Sequence, residues 1–566
     1  MIRSPGSPTM PPLRRLLPSA ALLALLTACA PAPTSPSTQP PPQAPPPPPP
    51  PSHTLPLQRP PPQALPPPPP QAPPPPFRSD EVFRLAIRGG HVIDGSGAPR
   101  RRADVLVRGD RIAFVGDVDP SVRAERTLDA TGAVVTPGFI DAHSHGNPLG
   151  DVEYALAMGV TTLVVGQDGR SPATRIGPWL AKIDAGRPRV HVAALVGHGT
   201  VRSLAGAALQ TKPRPAELER MRDLVAQALH DGAFGLSTGL EYDPGRGASM
   251  DELVALAEPV GALGGVVMSH LRSEDDDRIE SSLDELFEMC GKAKARAHVA
   301  HLKIVLGRGV PRAERLLARI EKARVQGLHV TADLYPYAAS YTSLAVLFPD
   351  FARPPSSYAN ALWGRRPELA AFLRARVEKR NGPGAILFGT GAFAGRTLEQ
   401  VATSRRVPFE DILIDMGPNG AEVAYFVMDE AVVARLFADP FVMVGTDGGG
   451  GGRHPRGFGA FARVVEALVE KRALVPLEEA VRKMSDLPAR TLGLEGERGC
   501  VREGCGADLL VFSPAEVHER ASFTAPHRLA EGMRFVVVGG VIEREGGKAT
   551  PGRGGRALRF ARADGR

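Results

Sequence analysis

From residue 83 onward, apolar and polar positions alternate in short runs broken by glycine. Residues 83–95 ("FRLAIRGGHVIDG") and 104–116 ("DVLVRGDRIAFVG") each carry this period of two. Alternation interrupted by turn residues predicts a β-meander with one covered face. Matching runs return near the other end, at 507–512 and 535–542. The simplest arrangement is one small β-sandwich assembled from both ends of the folded region, over 82–135 and 495–560. Between them the rhythm changes. Short, nearly unbroken apolar runs at 161–166, 191–197, 233–237, 266–269, 297–303, 329–333 and 441–446 are separated by longer stretches of helical spacing, such as 215–229, 251–263, 278–294 and 311–325. Continuous apolar runs mark parallel strands covered on both faces. With the strand ending at His145 they predict eight strands alternating with helices, an α/β fold in the form of a (β/α)₈ barrel over 136–494. An open doubly wound sheet is the rival, and it gives no reason for the polar residues that recur at the strand ends.

Those residues are His143 and His145 in "GFIDAHSH", Asp168 in "VGQDG", His198 in "VGHG", His270 in "MSHLR", His301 in "AHLK", Asp333 in "ADLYPY" and Asp447 in "GTDG". The chain has only 14 histidines, so their concentration at strand ends carries information. A barrel does its chemistry at the C-terminal ends of its strands. On a strand, His143 and His145 face the same way, and their imidazoles either converge on one ion or a pair of ions or merely close a polar strand end. Asp447 adds a carboxylate able to take a proton from an activated water and deliver it to a leaving amine.

The first 76 residues differ in kind. Arg14 and Arg15 precede the apolar run 20–26, and Leu26-Thr27-Ala28-Cys29 follows it. That order predicts a signal peptide over 1–28 whose lipobox cysteine, Cys29, is lipidated. Residues 29–76 are dominated by proline and predict a disordered polyproline II tether, reaching roughly 140 Å at about 3.1 Å per residue. The expected location is therefore the bacterial cell envelope, with membrane contact only through the lipid anchor. The net charge of +7 does not point to nucleic acid. Arg553, Arg556, Arg559, Arg562 and Arg566 crowd the end without interleaved aromatics, which reads as a solvated basic tail. Four cysteines are too few for a disulfide scaffold; Cys500 and Cys505 bracket a turn and are spaced either to bridge or to stay free, and Cys290 sits in an apolar helical run.

Taken in order, "VVTPGFIDAHSH", "TTLVVGQDG", "VAALVGHGTVR", "GAFGLSTGLEYDPG", "MSHLRSED", "VAHLKI", "TADLYPY" and "VGTDGGGGGRHPRGFGAF" resemble the N-acyl-D-amino-acid deacylases (D-aminoacylases) of the amidohydrolase superfamily. The resemblance runs from Phe83 to about Arg559. It implies a metal-dependent barrel enzyme that hydrolyses the amide bond of an N-acyl-D-amino acid to a carboxylate and a free D-amino acid. It further implies that His270 and His301 hold one tightly bound Zn²⁺. His143 and His145 match the first-strand metal histidines, leaving a second ion open. Asp447 matches the catalytic base, and Lys303, Tyr335 and Arg456 match residues that hold the carboxylate of a small-molecule substrate. Asp168 stands where the family usually has a bridging cysteine; it keeps a negative ligand but offers harder oxygen, so metal number stays open. Tyr341 stands where the family tends to have a small hydroxyl residue. Dihydroorotase-like relatives carry a carbamylated lysine on the fourth strand, and 235–241 has no lysine. Glu241 in that stretch reads as a solvent-facing loop carboxylate, or else as a ligand or specificity residue. The glycine run 448–452 reads as a mobile loop, since no Lys-Ser/Thr follows to make a phosphate cradle. Two alternatives stay beside this reading: another metal-dependent amidase or dipeptidase acting on D-residue cell-wall fragments, and a non-catalytic lipid-tethered binding protein. The sequence leaves the acyl group, the D-side chain and the oligomeric state open.

Overall fold

A computed structural model describes residues 75–560, so the expected signal peptide, Cys29 and nearly all of the proline tether lie outside the described residues, as do Arg562 and Arg566. The two alternating regions do meet in a sandwich. One sheet runs in the order Arg111–Gly116, Asp104–Arg108, Val82–Arg88, Arg123–Asp129. In the other, Leu509–Phe512 pairs antiparallel with Val134–Pro137 on one side and with Met533–Val538 on the other. The alternation explains the packing: Leu85, Ile87, Val105 and Val107 turn inward against Val135, Leu509, Val511 and Val537 in one apolar layer. Cys500 and Cys505 lie buried in that layer and form a disulfide.

The middle of the chain closes into the barrel. Its strands, in order, are Phe139–Asp141, Val160–Val165, His191–Ala194 continuing into Val196–Gly197, Gly235–Gly239, Val266–His270, Arg296–Val299, Val330–Leu334 and Val442–Val444. Ladders link them in parallel, each to the next. The last is joined to the first by backbone bonds from Asp447 N–H to His143 O (2.8 Å) and from His145 N–H to Gly448 O (2.7 Å). Helices Pro215–His230, Met250–Ala262, Ile279–Ala293 and Val310–Val325 cover the outside, within a residue or so of their sequence expectation. The strands read as unbroken apolar runs because Val164, Ala193, Val266 and Met268 fill the interior, whereas Leu163, Val165, Val192 and Val267 pack outward on the helices.

Three features depart from the sequence reading. The first and sixth strands stop at Asp141 and Val299, short of His145 and Lys303, because the chain turns at exactly the segments that carry the polar residues. The stretch between Leu334 and Val442 is no simple crossover. It holds an antiparallel sheet in the order Ser340–Ser343, Glu422–Tyr425, Ile386–Phe388, together with helices such as Arg366–Lys379. The described part of the basic tail is docked on the fold through the buried Ala557 and Leu558, while its arginines stay exposed: Arg553 is exposed, and Arg556 and Arg559 pair at the surface with Asp110 and Asp184. Among the described residues no helix is long and apolar enough to cross a membrane.

Candidate active site

Closure of the barrel brings the strand-end residues to one mouth, around a cavity of about 690 Å³. His270 arrives by strand alternation, two residues after the inward-facing Met268. Three others arrive by a backbone turn. Asp168, His301 and Asp447 have φ of 52°, 35° and 48°, in the left-handed region that side-chain-bearing residues avoid, and they are three of only nine such non-glycine residues among those described. Backbone held there by its surroundings is a mark of a functional site.

Asp168 is the hub. Its Oδ1 lies 3.4 Å from His143 Nε2, 3.4 Å from His301 Nε2 and 3.8 Å from His270 Nδ1, and its Oδ2 lies 3.3 Å from His145 Nε2. His270 Nδ1 and His301 Nε2 face each other across 2.7 Å. Asp447 Oδ1 stands 3.3 Å from His145 Nε2, and its Oδ2 accepts a 2.6 Å hydrogen bond from Arg456 Nη1. Three ligand groupings result among the described residues, His143-His145-Asp168-Asp447, Asp168-His270-His301 and Glu241-His270-Glu274, each with its donor atoms within 4.8 Å of one another; the first two share Asp168. Both ring nitrogens of His143 and Asp168 Oδ1 are buried without a hydrogen-bond partner. Orphaned buried polar atoms are rare and costly. Imidazole nitrogens and carboxylate oxygens converging on one space are what a divalent cation such as zinc needs, which accounts for the orphaned His143 Nε2 and Asp168 Oδ1; His143 Nδ1 faces Asp333 instead, at 3.4 Å.

Electrostatics sort the other groups. Burial alone would push the Asp447 carboxyl up, but the Arg456 guanidinium and His301 hold it well below the usual range. Burial likewise opposes charge on Lys303, and Glu274 outweighs it; the ammonium donates to Glu274 Oε1 at 2.5 Å and to His301 O at 3.0 Å. Burial pushes the Tyr335 phenol up to about 12, and its hydroxyl has no partner. Lys303 Nζ and Arg456 flank the ring of Tyr335, 5.8 and 4.6 Å from its centre. Burial and Arg456 together hold His454 well below its ordinary value. Its neutral ring accepts the Arg456 N–H at Nδ1 (3.0 Å) and donates from Nε2 to Ala339 O (3.1 Å).

The nine residues to which the resemblance gives metal, catalytic or substrate roles, His143, His145, Asp168, His270, His301, Asp447, Lys303, Tyr335 and Arg456, all lie at this mouth; two other strand-end residues are placed differently. His198 and Asp333 do not reach the cavity. His198 pairs with Glu252 behind it at 2.8 Å. Asp333 sits beneath the site, where it accepts His301 N–H (3.0 Å), bonds His298 Nε2 (2.8 Å) and lies 3.4 Å from His143 Nδ1. Sequence reasoning missed His298 and Glu274, whose only local signals are their places three and four residues from a strand-end histidine, His301 and His270. It also misjudged Glu241, which is not solvent-facing: its side chain is 18% exposed and its Oε2 lies 3.2 Å from His270 Nε2. The glycine run lines the cavity wall, as does Tyr341 from the segment inserted before the last strand.

The profile of the amidohydrolase family matches residues 126–438 and 416–542. An N-acyl-D-glutamate deacylase of Alcaligenes xylosoxydans xylosoxydans is 35% identical over 487 residues, covering 81% of this chain and 93% of the relative. Among solved structures, the N-acyl-D-glutamate deacylase of Bordetella bronchiseptica, complexed with zinc and a phosphonate mimic of the tetrahedral intermediate, superposes with a TM-score of 0.74. It shares 32% identity, with 85% of this chain and all of that one covered. A D-aminoacylase studied for its binuclear metal centre, with one-metal activation and second-metal attenuation, gives a TM-score of 0.73 at 33% identity over 84% of this chain and 100% of its own.

Proposed function

The chain belongs to the amidohydrolase family, and from that membership and the geometry of the mouth we propose that it is a zinc-dependent hydrolase of N-acyl-D-amino acids, releasing a carboxylate and a free D-amino acid. The observation that carries the reading is the placement of one carboxylate base, Asp447, between a nitrogen-and-carboxylate metal cradle and two buried cations. His270, His301 and Asp168 would hold the tighter zinc, and His143 and His145, with Asp168 shared, a second. A metal held by these residues would supply polarisation of the scissile carbonyl and a lowered pKa for the attacking water.

The chain's own residues supply the rest. Arg456 occupies Asp447 Oδ2, which leaves Oδ1, facing His145, as the oxygen that takes the water proton and hands it to the departing nitrogen. Held below the usual carboxylate range, Asp447 enters the reaction ionised at neutral pH. The unpartnered Tyr335 hydroxyl, with Lys303 and Arg456 on either side of its ring, offers a donor and two positive charges to the substrate's free carboxylate. Anchoring the carboxylate there, with the acyl group directed at the histidine–aspartate cradle, would fix the α-carbon between two points, so the third direction, taken by the side chain, reads chirality.

A panel of matched N-acyl-D and N-acyl-L amino acids and D-containing dipeptides, given to zinc-loaded protein, tests this. Preference for the N-acyl-D series is expected; hydrolysis of dipeptides alone would move the assignment to D-residue cell-wall fragments, and zinc binding without turnover of any would leave a binding protein. We also propose that Cys29 is lipidated and tethers the enzyme to a membrane of the cell envelope, on the strength of "LTAC" after an apolar run. Detergent-phase partitioning that is unchanged in Cys29→Ser would refute the tether.

A further inference from the structure

We propose that Glu241 is a positioning residue: it fixes the ring of His270 so that Nδ1, not Nε2, is presented to the metal, an inference that rests on the zinc-site reading above. His270 has two ring nitrogens and they face opposite ways. Nδ1 looks inward, 3.8 Å from Asp168 Oδ1 and 2.7 Å from His301 Nε2; Nε2 looks outward, 3.2 Å from Glu241 Oε2. A neutral imidazole carries one proton, and a carboxylate that can only accept draws it to the outer nitrogen, leaving the inner one with a free lone pair.

The loop that carries Glu241 is built to hold this contact. It leaves the fourth strand at Gly239, and Leu240 N–H donates to His270 O at 3.1 Å, tying the loop to the residue it serves. The next residue, Tyr242, lays its ring against His270, 4.4 Å between centres, and its hydroxyl accepts from Thr342 at 3.1 Å. Arg272, two residues after His270, donates to Arg246 O (2.5 Å) and Ala248 O (3.0 Å) at the far side of the loop and is itself held by Glu285. His270 is thus gripped on one face by Tyr242 and on one edge by Glu241. The fourth strand, which offers no lysine to the metals, acts on them through this loop instead.

The test is zinc affinity, measured by competition with a chromophoric chelator, on wild type, Glu241→Gln and Glu241→Ala, with the absorption spectrum of the cobalt-substituted proteins as a second readout. Metal partners of this kind are worth roughly 10- to 100-fold in affinity. Glu241→Ala should weaken the tighter zinc by that factor and shift the cobalt bands, and Glu241→Gln, which keeps an acceptor, should recover part of both. Unchanged affinity and spectra in folded Glu241→Ala, or a change confined to KM that depends on the substrate side chain, would overturn the proposal and make Glu241 a substrate contact. Because the readouts need no substrate, failure of the N-acyl-D-amino-acid reading would leave this result intact; a wild type that binds no zinc would instead sink both.

Discussion

Two buried clusters in this molecule use the same side chains and do opposite things. At the mouth of the barrel, His143, Asp168 and Asp447 meet Arg456; where the barrel meets the sandwich, His191, Asp508 and Arg498 meet. In the second cluster every group is answered. His191 Nε2 bonds Asp508 Oδ1 at 2.9 Å, His191 Nδ1 accepts the Arg556 N–H at 3.2 Å, Asp508 Oδ1 takes the Gly539 N–H at 2.8 Å, and Arg498 Nη1 pairs with Asp508 Oδ2. It ties a barrel strand to strands and tail from the far end of the chain. At the mouth, both nitrogens of His143, Asp168 Oδ1 and the Tyr335 hydroxyl have no partner. Residue type and burial therefore do not separate a structural pin from a reactive site. Between these two clusters the difference lies in the unanswered polar atoms, and what marks the mouth is that its orphans converge on one cavity, whereas those of the His198–Glu252–Arg202 cluster lie behind it.

The sharpest break between the clusters is expected from Asp447→Asn. It should lower kcat/KM on the preferred N-acyl-D-amino acid by about 10²- to 10⁴-fold, the usual contribution of a general base, while zinc content and fold persist. Near wild-type turnover would remove Asp447 from the mechanism. At the seam, Arg498→Met should do the reverse. It leaves Asp508 buried without its guanidinium, which costs about 3–5 kcal/mol in urea unfolding, with zinc affinity unchanged. A loss of zinc affinity there would mean that the clusters are coupled. The smallest effect concerns pH. Burial alone would raise Asp508, but Arg498 and His191 hold it well below the usual carboxylate range. A carboxyl depressed in the fold contributes stability that is complete above its unfolded value, near about 4, and is lost as pH falls towards the folded value. Stability to urea should therefore decline on acidification below about pH 4, and Asp508→Asn should start lower but decline less over that range. An equal slope in both proteins would show that the seam does not titrate this way.

Much of the fold was legible because it rests on local periods. Alternation marked the sandwich strands, unbroken apolar runs marked the barrel strands, and helical spacing marked the helices between, each to within a few residues. The insertion before the last strand was not legible, since its short antiparallel strands Ser340–Ser343, Ile386–Phe388 and Glu422–Tyr425 lie far apart in the chain and carry no period of their own. Nor were Glu241, Glu274 and His298, which owe their roles to neighbours brought up by other strands.

The sequence by itself determined which residue types stand at the strand ends and in what order, because hydrophobic period and turn residues act over a handful of positions. Only the tertiary structure decided which of them share a space. Closure set Asp447 beside His145 across the first and last strands, and left-handed turns at Asp168, His301 and Asp447 aimed them at one point. It also put Arg456 on one oxygen of Asp447 and Glu241 behind His270. The physical reason is that a side chain's chemistry is set by its nearest charges and donors, and in a closed barrel most of those come from strands and loops tens to hundreds of residues away, Arg456 beside Asp447 being a near exception at nine residues.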